Sequence, residues 1–329
     1  MAAACLSRKR SLPSNEVIGD DRVAPVAIVP EPVISINGLA KHYGRLVAVS
    51  DLTLDVPAGG IFGFLGLNGA GKTTTIRVLL DLLRPTSGRA AIFGLDCQAD
   101  GLAVRARLGY MPGELGFYQD MTGEDTLRVL ARLSGSPVDP AWRRRLEARF
   151  EFAQSDLPRK LREYSTGMKR KLGLIQAFQA DPPLLILDEP TEGLDPLMQE
   201  AFYDLLAEVR QRDRTVFLSS HVLSEVERVC DRVAVLRAGR LALVAGVDEV
   251  RQLAPRRVRV TFASAVAFQS GLLPAPFEAV DIQPASWQLQ VRGPLGPLVD
   301  ALRAFPVHDL EVHEARLEDI IMKYYRDAP

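Results

Sequence analysis

The chain has 329 residues, a hydrophobic fraction of 47% and a formal net charge of −1 at pH 7, which allows one large domain and a smaller one. The near-zero net charge disfavours a general nucleic-acid binder, and no apolar run reaches the ~18 residues of a membrane span. The three cysteines, Cys5, Cys97 and Cys230, match no metal-ligand spacing and indicate a reduced, cytosolic protein.

The first 32 residues mix charge, Ser, Pro and Ala without periodicity, which predicts a disordered arm. The charges at 8–10 follow the short apolar patch instead of preceding it, so we predict no secretion signal. Ordered structure is expected from about Val33, and Pro-Ala-Gly-Gly at 57–60 predicts a turn. The strands predicted for this region are 33–37, 47–56 and 61–65.

Residues 66–73 read G-L-N-G-A-G-K-T, the G-x-x-x-x-G-K-[ST] pattern of a phosphate-binding loop. Its glycines allow successive backbone N–H groups to curve around a polyphosphate, because a Cβ would block the turn. Lys72 would place a compact cation on the outer phosphates, and Thr73 would offer its hydroxyl to Mg²⁺. The apolar strand before the loop and the helix predicted over 74–83 supply the required context. The alternative, a Gly-rich turn that merely precedes a helix, is disfavoured by that context.

The stretch between this loop and residue 165 is predicted to contain short strands and then a helical block. Thr122 is a hydroxyl N-cap with the carboxylate of Asp125 three residues later, and leucines at helical spacing follow. The three arginines at 143–145 are most simply a solvated helix face and not a nucleic-acid patch. The predicted elements are a loop over 84–89, a strand over 90–94, a strand from 108 that breaks into a loop at 113–114, and a second helix over 141–152.

Two apolar strands that end in polar residues are predicted further along the chain. Four consecutive apolar residues at 184–187 suit a strand buried on both faces of a parallel sheet, and Asp188 and Glu189 follow at the end where such sheets place ligands. The strand over 215–220 repeats this design and ends at His221. Alternation with helices indicates a largely parallel sheet with right-handed crossovers. The helices are predicted at 196–212 and 223–230, with closing strands at 232–236 and 241–245.

The character of the chain changes at about residue 250, where alternating, half-exposed strands begin. This part is predicted to be a small α/β appendage, and we find no catalytic constellation in it. Its predicted strands are 258–262, 287–291 and 310–313, and its predicted helices are 298–305 and 317–325.

The phosphate loop and the Asp188-Glu189 strand end together indicate a nucleoside triphosphatase, and a third motif indicates which kind. The run Tyr-Ser-Thr-Gly-Met-Lys at 164–169 opens a helix predicted to reach Ala180, with Ser165 as its N-cap. Here the sequence resembles the ATP-binding cassettes of ABC transporters, whose signature, commonly L-S-G-G-Q, lies just before the Asp-Glu strand. The S-x-G-M-K form resembles bacterial exporters of drugs, ions or polysaccharides, and the run at 317–320 resembles the C-terminal extension of that subclass.

The resemblance covers roughly residues 33–250 and implies a domain plan. It implies an α/β P-loop NTPase core of the ABC ATPase type with a largely parallel sheet, an antiparallel β subdomain, a helical subdomain at about 114–165, and a small C-terminal α/β domain over 251–329. Residues 1–32 would be the arm that precedes the cassette at 33–250.

The resemblance also implies roles for individual residues. Asp188 would support Mg²⁺ directly or through water, Glu189 would be the general base or at least orient the attacking water, and His221 would contact the γ-phosphate. Tyr43 would stack on adenine, although a strand-end tyrosine also suits a core position. The alternatives for Glu189 and His221 are a solvated strand-end acid and an ordinary surface or core histidine. The residues implied to hold the phosphates are Gly66, Leu67, Asn68, Gly69, Ala70, Gly71, Lys72, Thr73 and Thr74.

One cassette cannot bring its own signature onto its own nucleotide in the architecture that the resemblance implies. Ser165 and Gly167 would therefore cover the ATP of a second cassette, in a homodimer or a paired-cassette dimer, and Asp195 would lie at the seam between the two. One departure stands out, because the glutamine usual after the strand at 110–112 is replaced by Gly113-Glu114. Glu114 could reach Mg²⁺ or water, or the role of the glutamine is lost.

The implied function is that of the ATP-binding and ATP-hydrolysing subunit of an exporter, on the cytoplasmic face of the membrane. A separate polytopic membrane permease would be its partner, docked on the helical block, and no nucleic-acid partner is expected. The alternative is a soluble ATPase of the same superfamily that acts on DNA or ribosomes. The long coiled-coil insertion of the repair members and the tandem cassettes of the translation members are absent here. A module that binds ATP without hydrolysing it is disfavoured by Glu189 and His221.

Overall fold

The computed structural model describes residues 31–253, 255–268, 277–313 and 320–321. The strands are β1 (Ile34–Tyr43), β2 (Leu46–Val56), β3 (Gly60–Leu65), β4 (Ser87–Ile92), β5 (Leu95–Asp96), β6 (Leu108–Met111), β7 (Leu184–Asp188), β8 (Thr215–Ser220), β9 (Arg232–Arg237), β10 (Arg240–Gly246), β11 (Arg256–Phe262), β12 (Phe277–Gln283), β13 (Ser286–Val291) and β14 (Val307–His313). The helices are α1 (Lys72–Leu79), α2 (Gly101–Arg105), α3 (Gly123–Ser134), α4 (Pro140–Arg149), α5 (Thr166–Phe178), α6 (Pro196–Gln211), α7 (Leu223–Val229), α8 (Val247–Leu253) and α9 (Gly296–Leu302). Residues 1–30 of the predicted arm lie outside the described residues.

A six-stranded sheet forms the centre of the fold, in the order β10-β9-β3-β8-β7-β6. Adjacent strands from β9 to β6 pair in parallel, and β10 alone in this sheet runs antiparallel to the strand beside it. The largely parallel sheet expected from the sequence is therefore confirmed. Because parallel strands end at the same edge, the phosphate loop after β3, the acidic pair at the end of β7 and His221 after β8 come together there.

Alternate residues of the central strands pack on opposite faces of this sheet. Phe62 and Phe64 of β3 and Phe217 of β8 belong to one apolar cluster, with β1, β2 and α1. Leu65 and Leu218 belong to a second cluster on the other face, with α5, α6 and α7. These strands are therefore buried on both faces, which explains why their sequences read as apolar runs and not as alternations.

A four-stranded antiparallel sheet, in the order β2-β1-β4-β5, covers the phosphate-loop side of the core. The strand β1 continues well beyond the predicted 33–37. Gly38 adopts φ 56° inside this strand, where the pairing with β2 shifts register, and such a bulge lets the strand continue. The extension places Tyr43 at the end of β1.

The helical block is built from capped helices, as expected. The Thr122 hydroxyl accepts from the Asp125 backbone N–H at 3.0 Å and begins α3, and the Trp142 indole donates to the Phe178 carbonyl at 2.9 Å and ties α4 to α5. The arginines at 143–145 are more engaged than a merely solvated face, because Arg143 pairs with Glu147 and Arg145 pairs with Glu208 of α6.

The helix α1 differs from its prediction at both ends. It begins at Lys72 and not at residue 74, because Gly71 at φ 105° lets the chain turn directly from the loop into the helix. It ends at Leu79 in a Schellman motif, in which Asp81 adopts φ 54°, the Asp81 N–H donates to the Val78 carbonyl and the Leu82 N–H donates to the Arg77 carbonyl.

A second four-stranded antiparallel sheet, in the order β12-β13-β11-β14, follows the central fold. The three predicted strands are confirmed, and α9 begins two residues earlier than expected. The strand β12 was missed because a register shift between Ala279 and Asp281 interrupts its apolar-polar alternation and because most of its residues are exposed. Trp287 and Phe262, with ring centroids 4.6 Å apart, centre its small core. Of the helix predicted over 317–325, only 320–321 lie within the described residues, and Ile321 is buried.

Candidate active site

A cavity of about 600 Å³ lies at the edge of the central sheet where β3 and β7 end. It brings together most of the predicted site: the phosphate loop, Tyr43, Glu114, Asp188 and Glu189. Among the predicted residues that the structure describes, Gly66, Ser165, Gly167, Asp195 and His221 are not part of its lining. Gly113, which precedes Glu114 in the unusual pair, also lines the cavity. The sequence assigned no role to the further lining residues, which include Leu46, Val47, Ala48, Arg77, Tyr110, Pro112, Arg170 and Glu192.

The glycines of the phosphate loop are required both by conformation and by close approach. Gly69 and Gly71 adopt φ 80° and 105°, and a Cβ on Gly71 would lie 2.5 Å from the Ala48 carbonyl oxygen. A Cβ on Gly66 would lie 2.8 Å from the Leu236 carbonyl oxygen. The backbone of the loop is therefore fixed against β2 and β9 in a shape that only these residues allow.

Lys72 is a buried cation of this cavity, with a relative exposure of 5%. Its Nζ donates to the Gly66 carbonyl at 2.5 Å and lies 3.1 Å from Glu189 Oε1. A buried ammonium group is costly unless it is paired, and Glu189 supplies the counter-charge. The predicted phosphate-binding lysine and the predicted catalytic acid are thus an ion pair.

Asp188 ends β7 almost fully buried, and only one of its carboxylate oxygens is satisfied. The Ser219 hydroxyl donates to Oδ1, whereas Oδ2 is buried without a hydrogen-bond partner among the described residues. A buried carboxylate oxygen without a donor is unfavourable by about 1–3 kcal/mol or more, so its position favours a cation. Thr73 lines the same cavity, and these two oxygens suit Mg²⁺, which typically takes few protein ligands and completes its shell with phosphate and water.

The described residues contain no cluster of three or more His, Cys, Asp or Glu side chains that could hold a metal on its own. An ion here would therefore need oxygens from the phosphates. Tyr110, which lines the cavity beside Asp188, stays a neutral phenol, because burial and then the Asp188 charge raise its pKa to about 12.

Glu189 occupies a strained backbone position at the sheet edge. Its φ is 49°, in the left-handed region, and its N–H donates to both the carbonyl and the hydroxyl oxygen of Ser219 at 3.2 Å. Its Oε2 lies 2.8 Å from His221 Nδ1. Because an ionised carboxylate can only accept, His221 carries its proton on Nδ1 and donates it to Glu189. His221 therefore reaches the cavity through Glu189.

Arg170 is a buried charge in the cavity wall that the sequence did not indicate. It is 6% exposed, and its guanidinium lies 3.1 Å from Glu192 and donates to the Pro112 carbonyl at 3.4 Å. The only signal was the Lys-Arg-Lys run at 169–171, and such runs on helices usually face solvent.

The signature residues lie on a neighbouring exposed surface. The Ser165 hydroxyl accepts from the Met168 N–H at 3.1 Å and caps α5, as predicted. Asp195 caps α6 in the same way, through the Met198 N–H at 3.0 Å. A Cβ on Gly167 would lie 3.8 Å from the Gly193 carbonyl oxygen, so the two helix starts are close together.

The side of the cavity at Tyr43 is apolar. Tyr43 is 46% exposed, Leu46 and Val47 are exposed beside it, and Lys41 Nζ lies 5.1 Å from the centroid of the Tyr43 ring. The ring therefore presents an accessible face and is not the core tyrosine of the alternative interpretation.

Glu114 lines the cavity with its side chain exposed, and it makes no hydrogen bond or ion pair with any residue that the structure describes. The preceding residue is close to the acidic strand end, since a Cβ on Gly113 would lie 3.5 Å from Asp188 Oδ2. The unusual Gly-Glu pair thus stands beside the unsatisfied oxygen of Asp188.

No helix in the described part of the chain has both the length and the apolar character needed to cross a membrane.

Comparison with known proteins gives consistent similarities. Residues 49–192 match the family described as ABC transporter, a range that contains the phosphate loop, the signature and the acidic pair. The chain is 35% identical over 226 residues to the bacitracin transport ATP-binding protein BcrA of Enterococcus faecalis, covering 68% of this chain and 73% of that protein. It is 37% identical over 223 residues to the daunorubicin/doxorubicin resistance ATP-binding protein DrrA of Streptomyces peucetius, covering 68% of each.

Solved structures show the same fold. An ATP-binding subunit of an ABC transporter superposes with a TM-score of 0.62 at 31% identity, over 67% of this chain and 92% of that one. A dimeric ATP-binding cassette in a post-hydrolysis state, bound to ADP and phosphate, superposes with a TM-score of 0.59 at 18% identity, over 65% of this chain and 98% of that one.

Proposed function

Because this chain belongs to the ABC transporter family, we infer that it is the ATP-binding and ATP-hydrolysing subunit of an exporter and acts through a separate membrane-spanning partner. The observation that carries this inference is the single cavity in which the phosphate loop, Asp188 and Glu189 converge, in a chain whose similar proteins include ATP-binding proteins for bacitracin transport and daunorubicin resistance.

We propose that the loop from Gly66 to Thr74 binds the phosphates of ATP, with Tyr43 against the base. The Thr73 hydroxyl and Asp188 Oδ2 would hold Mg²⁺, which when bound neutralises charge on the phosphates. The Ser219 hydroxyl fixes Asp188 through its other oxygen and leaves Oδ2 free for this role.

Glu189 is the proposed general base. A polyphosphate in the loop competes with Glu189 for the Lys72 ammonium group, since both are anions within reach of one buried cation. Its departure from Lys72 leaves the Glu189 carboxylate free to accept a proton from the attacking water. The Nδ1–H of His221 holds that carboxylate in place at 2.8 Å, and the exposed ring can face the γ-phosphate.

A second cassette is proposed to complete the site. Ser165, Gly167 and Asp195 lie outside the cavity of their own chain, on an exposed surface beside α5 and α6. The N-terminus of α5, capped by Ser165, would place its positive dipole end on the γ-phosphate held by the other copy. ATP would then bind two chains together, and hydrolysis would release them, because the two states differ in affinity for each other.

Glu114 is proposed to supply a carboxylate where the family usually has a glutamine. Its side chain is exposed in the cavity and unpaired among the described residues, beside the Asp188 end of β7. A carboxylate repels a polyphosphate that carries no cation and attracts Mg²⁺, so Glu114 would make ATP binding more dependent on Mg²⁺.

The membrane partner is proposed to dock in a second groove, of about 490 Å³, between the end of α1, α2 and the helical block. Large hydrophobic side chains of this groove are exposed, and a contiguous exposed apolar patch is typical of a protein-protein contact surface. Leu82, Leu102, Tyr118 and Leu133 are 60%, 80%, 80% and 76% exposed. A short helix of the partner suits such a groove. With this partner, the chain would be peripheral on the cytoplasmic face of the membrane.

The test is co-purification from cells that express the chain with the products of its neighbouring reading frames. In mild detergent, we expect a polytopic membrane protein to be recovered with the tagged full chain. Leu133→Glu, in the groove, should lose that protein, whereas Leu197→Glu, at an equally exposed leucine on α6, should retain it. Recovery of the wild-type chain without any membrane protein would refute the proposal.

A further inference from the structure

Glu225, in the first turn of α7, contacts the ends of both strands that carry the proposed catalytic pair. Its Oε2 accepts from the Thr191 hydroxyl at 3.0 Å and from the Ser220 hydroxyl at 3.2 Å. Thr191 follows β7 and Ser220 ends β8, so one carboxylate oxygen links two adjacent strand ends through donors that are far apart in sequence.

These two hydroxyl groups belong to residues next to the catalytic pair. Thr191 is two residues beyond Glu189, and Ser220 directly precedes His221. The Ser220 hydroxyl also accepts from the Val222 N–H at 2.9 Å, which fixes the turn that holds His221. A shift of either hydroxyl would therefore move one member of the 2.8 Å contact between His221 and Glu189.

The surroundings of Glu225 make these contacts rigid. Thr191 and Ser220 are 7% and 1% exposed, so their hydroxyls have little access to water. Burial and then the nearby Glu225 charge raise the pKa of the Tyr203 phenol to about 12, so Tyr203 stays neutral beside this carboxylate. Two buried hydroxyl groups that donate to one carboxylate oxygen favour a single arrangement of these strand ends.

The backbone at Glu189 needs such support. A non-glycine residue at φ 49° is unfavourable, and it persists only where its surroundings hold it. Ser219 holds Glu189 from the strand side, and Thr191 holds the segment that leaves it. Glu225 itself does not line the nucleotide cavity, so its influence on the site passes through these neighbours.

We propose that Glu225 is a positioning residue for ATP hydrolysis, which fixes the ends of β7 and β8 so that His221 stays on Glu189. This inference rests on the proposed function of the chain as an ATPase. It predicts an effect on kcat with little effect on ATP binding, because Glu225 is not part of the cavity lining that the phosphate loop, Tyr43 and Asp188 form.

The test compares variants of the full-length chain in steady-state ATP hydrolysis and in binding of a fluorescent ATP analogue. Thr191→Val removes one hydroxyl at nearly constant shape and should lower kcat by about tenfold with KM changed less than about twofold. Thr191→Ser restores the hydroxyl and should recover most of the rate. Glu225→Ala should lower kcat by about 10- to 100-fold, and Glu225→Gln, whose carbonyl oxygen still accepts, should be within about fivefold of the wild type.

Ser224→Ala, at the exposed neighbouring position on α7, is the matched control and should leave both constants unchanged. Thr191→Val values of kcat within twofold of the wild type would overturn the inference, as would a parallel loss of analogue binding. Normal binding of the analogue by Thr191→Val, together with a kcat lower than that of the wild type, supports the inference. A wild-type chain that neither binds nor hydrolyses ATP refutes the proposed function, and this inference with it.

Discussion

Replacement of Glu189 by glutamine is the sharpest test of the proposed chemistry. Glutamine has nearly the same size, and its carbonyl oxygen can still accept from His221 Nδ1, so the strand end should keep its structure. An amide cannot take a proton from water. We expect kcat to fall by about 10²- to 10⁴-fold, the usual contribution of a general base.

The same substitution should leave nucleotide binding intact or tighter. In the wild type the Lys72 ammonium group, 5% exposed, lies 3.1 Å from the Glu189 carboxylate. Without that carboxylate the phosphates are the anions left to compensate Lys72, and they no longer face a second negative charge. A fall of 10²- to 10⁴-fold in kcat corresponds to about 3–5 kcal/mol of activation free energy, all of it beyond the binding step.

The assay pairs phosphate release with size-exclusion chromatography in Mg-ATP. We expect Glu189→Gln to bind ATP, release almost no phosphate and elute as an ATP-dependent dimer, because hydrolysis no longer separates the two chains. Glu151→Gln, at an exposed carboxylate that does not line the cavity, is the control for the loss of one negative charge. Steady-state hydrolysis by Glu189→Gln at the wild-type rate would remove Glu189 from the proposed role.

Three further outcomes are expected. Tyr43→Ala should raise the KM for ATP by about 3- to 10-fold and leave kcat unchanged, because it removes a stacking face that contributes about 0.5–1.5 kcal/mol. Tyr43→Phe should match the wild type. Equal KM values for all three proteins would contradict stacking. Ser165→Asp keeps an N-cap for α5, so the melting temperature should hold, but its charge should repel the γ-phosphate of the other copy and prevent the ATP-dependent dimer seen by light scattering. Burial raises the pKa of Cys97 to about 12 and also raises that of Cys230. At pH 8 iodoacetamide should therefore alkylate neither thiol in the folded chain, and it should alkylate both in denaturant. Fast labelling of either cysteine in the native chain would contradict their burial.

The parts of the site that the sequence predicted are those whose chemistry resides in one short stretch. The phosphate loop needs its glycines for φ at Gly69 and Gly71, and that requirement is visible in the letters alone. The acidic strand end was predicted because a doubly buried strand reads as an apolar run before Asp188. Both signals are local in sequence, and neither depends on how distant segments pack together.

The parts that were missed arise from packing between distant segments. Arg170 joins α5 to the loops at Pro112 and Glu192, and nothing in the run at 169–171 distinguishes it from a solvated lysine or arginine. Glu225 resembles any acid in the first turn of a helix until β7 and β8 bring Thr191 and Ser220 onto it. The predicted end of α1 was also wrong, because the helix is terminated by Asp81 in a left-handed conformation. Helix ends are usually predicted from glycine or proline, and neither residue is present there.

The most direct test of the central claim is ATP hydrolysis by the full chain recovered with its membrane partner and reconstituted in liposomes, beside the same complex carrying Lys72→Ala. We expect Mg-dependent hydrolysis by the wild-type complex and a loss of at least about 100-fold in the variant, because Lys72 is the buried cation of the phosphate loop. The partner should stay bound in both, because Lys72 does not line the docking groove. Hydrolysis at the wild-type rate by Lys72→Ala, or a wild-type complex that hydrolyses no ATP, would contradict the central claim.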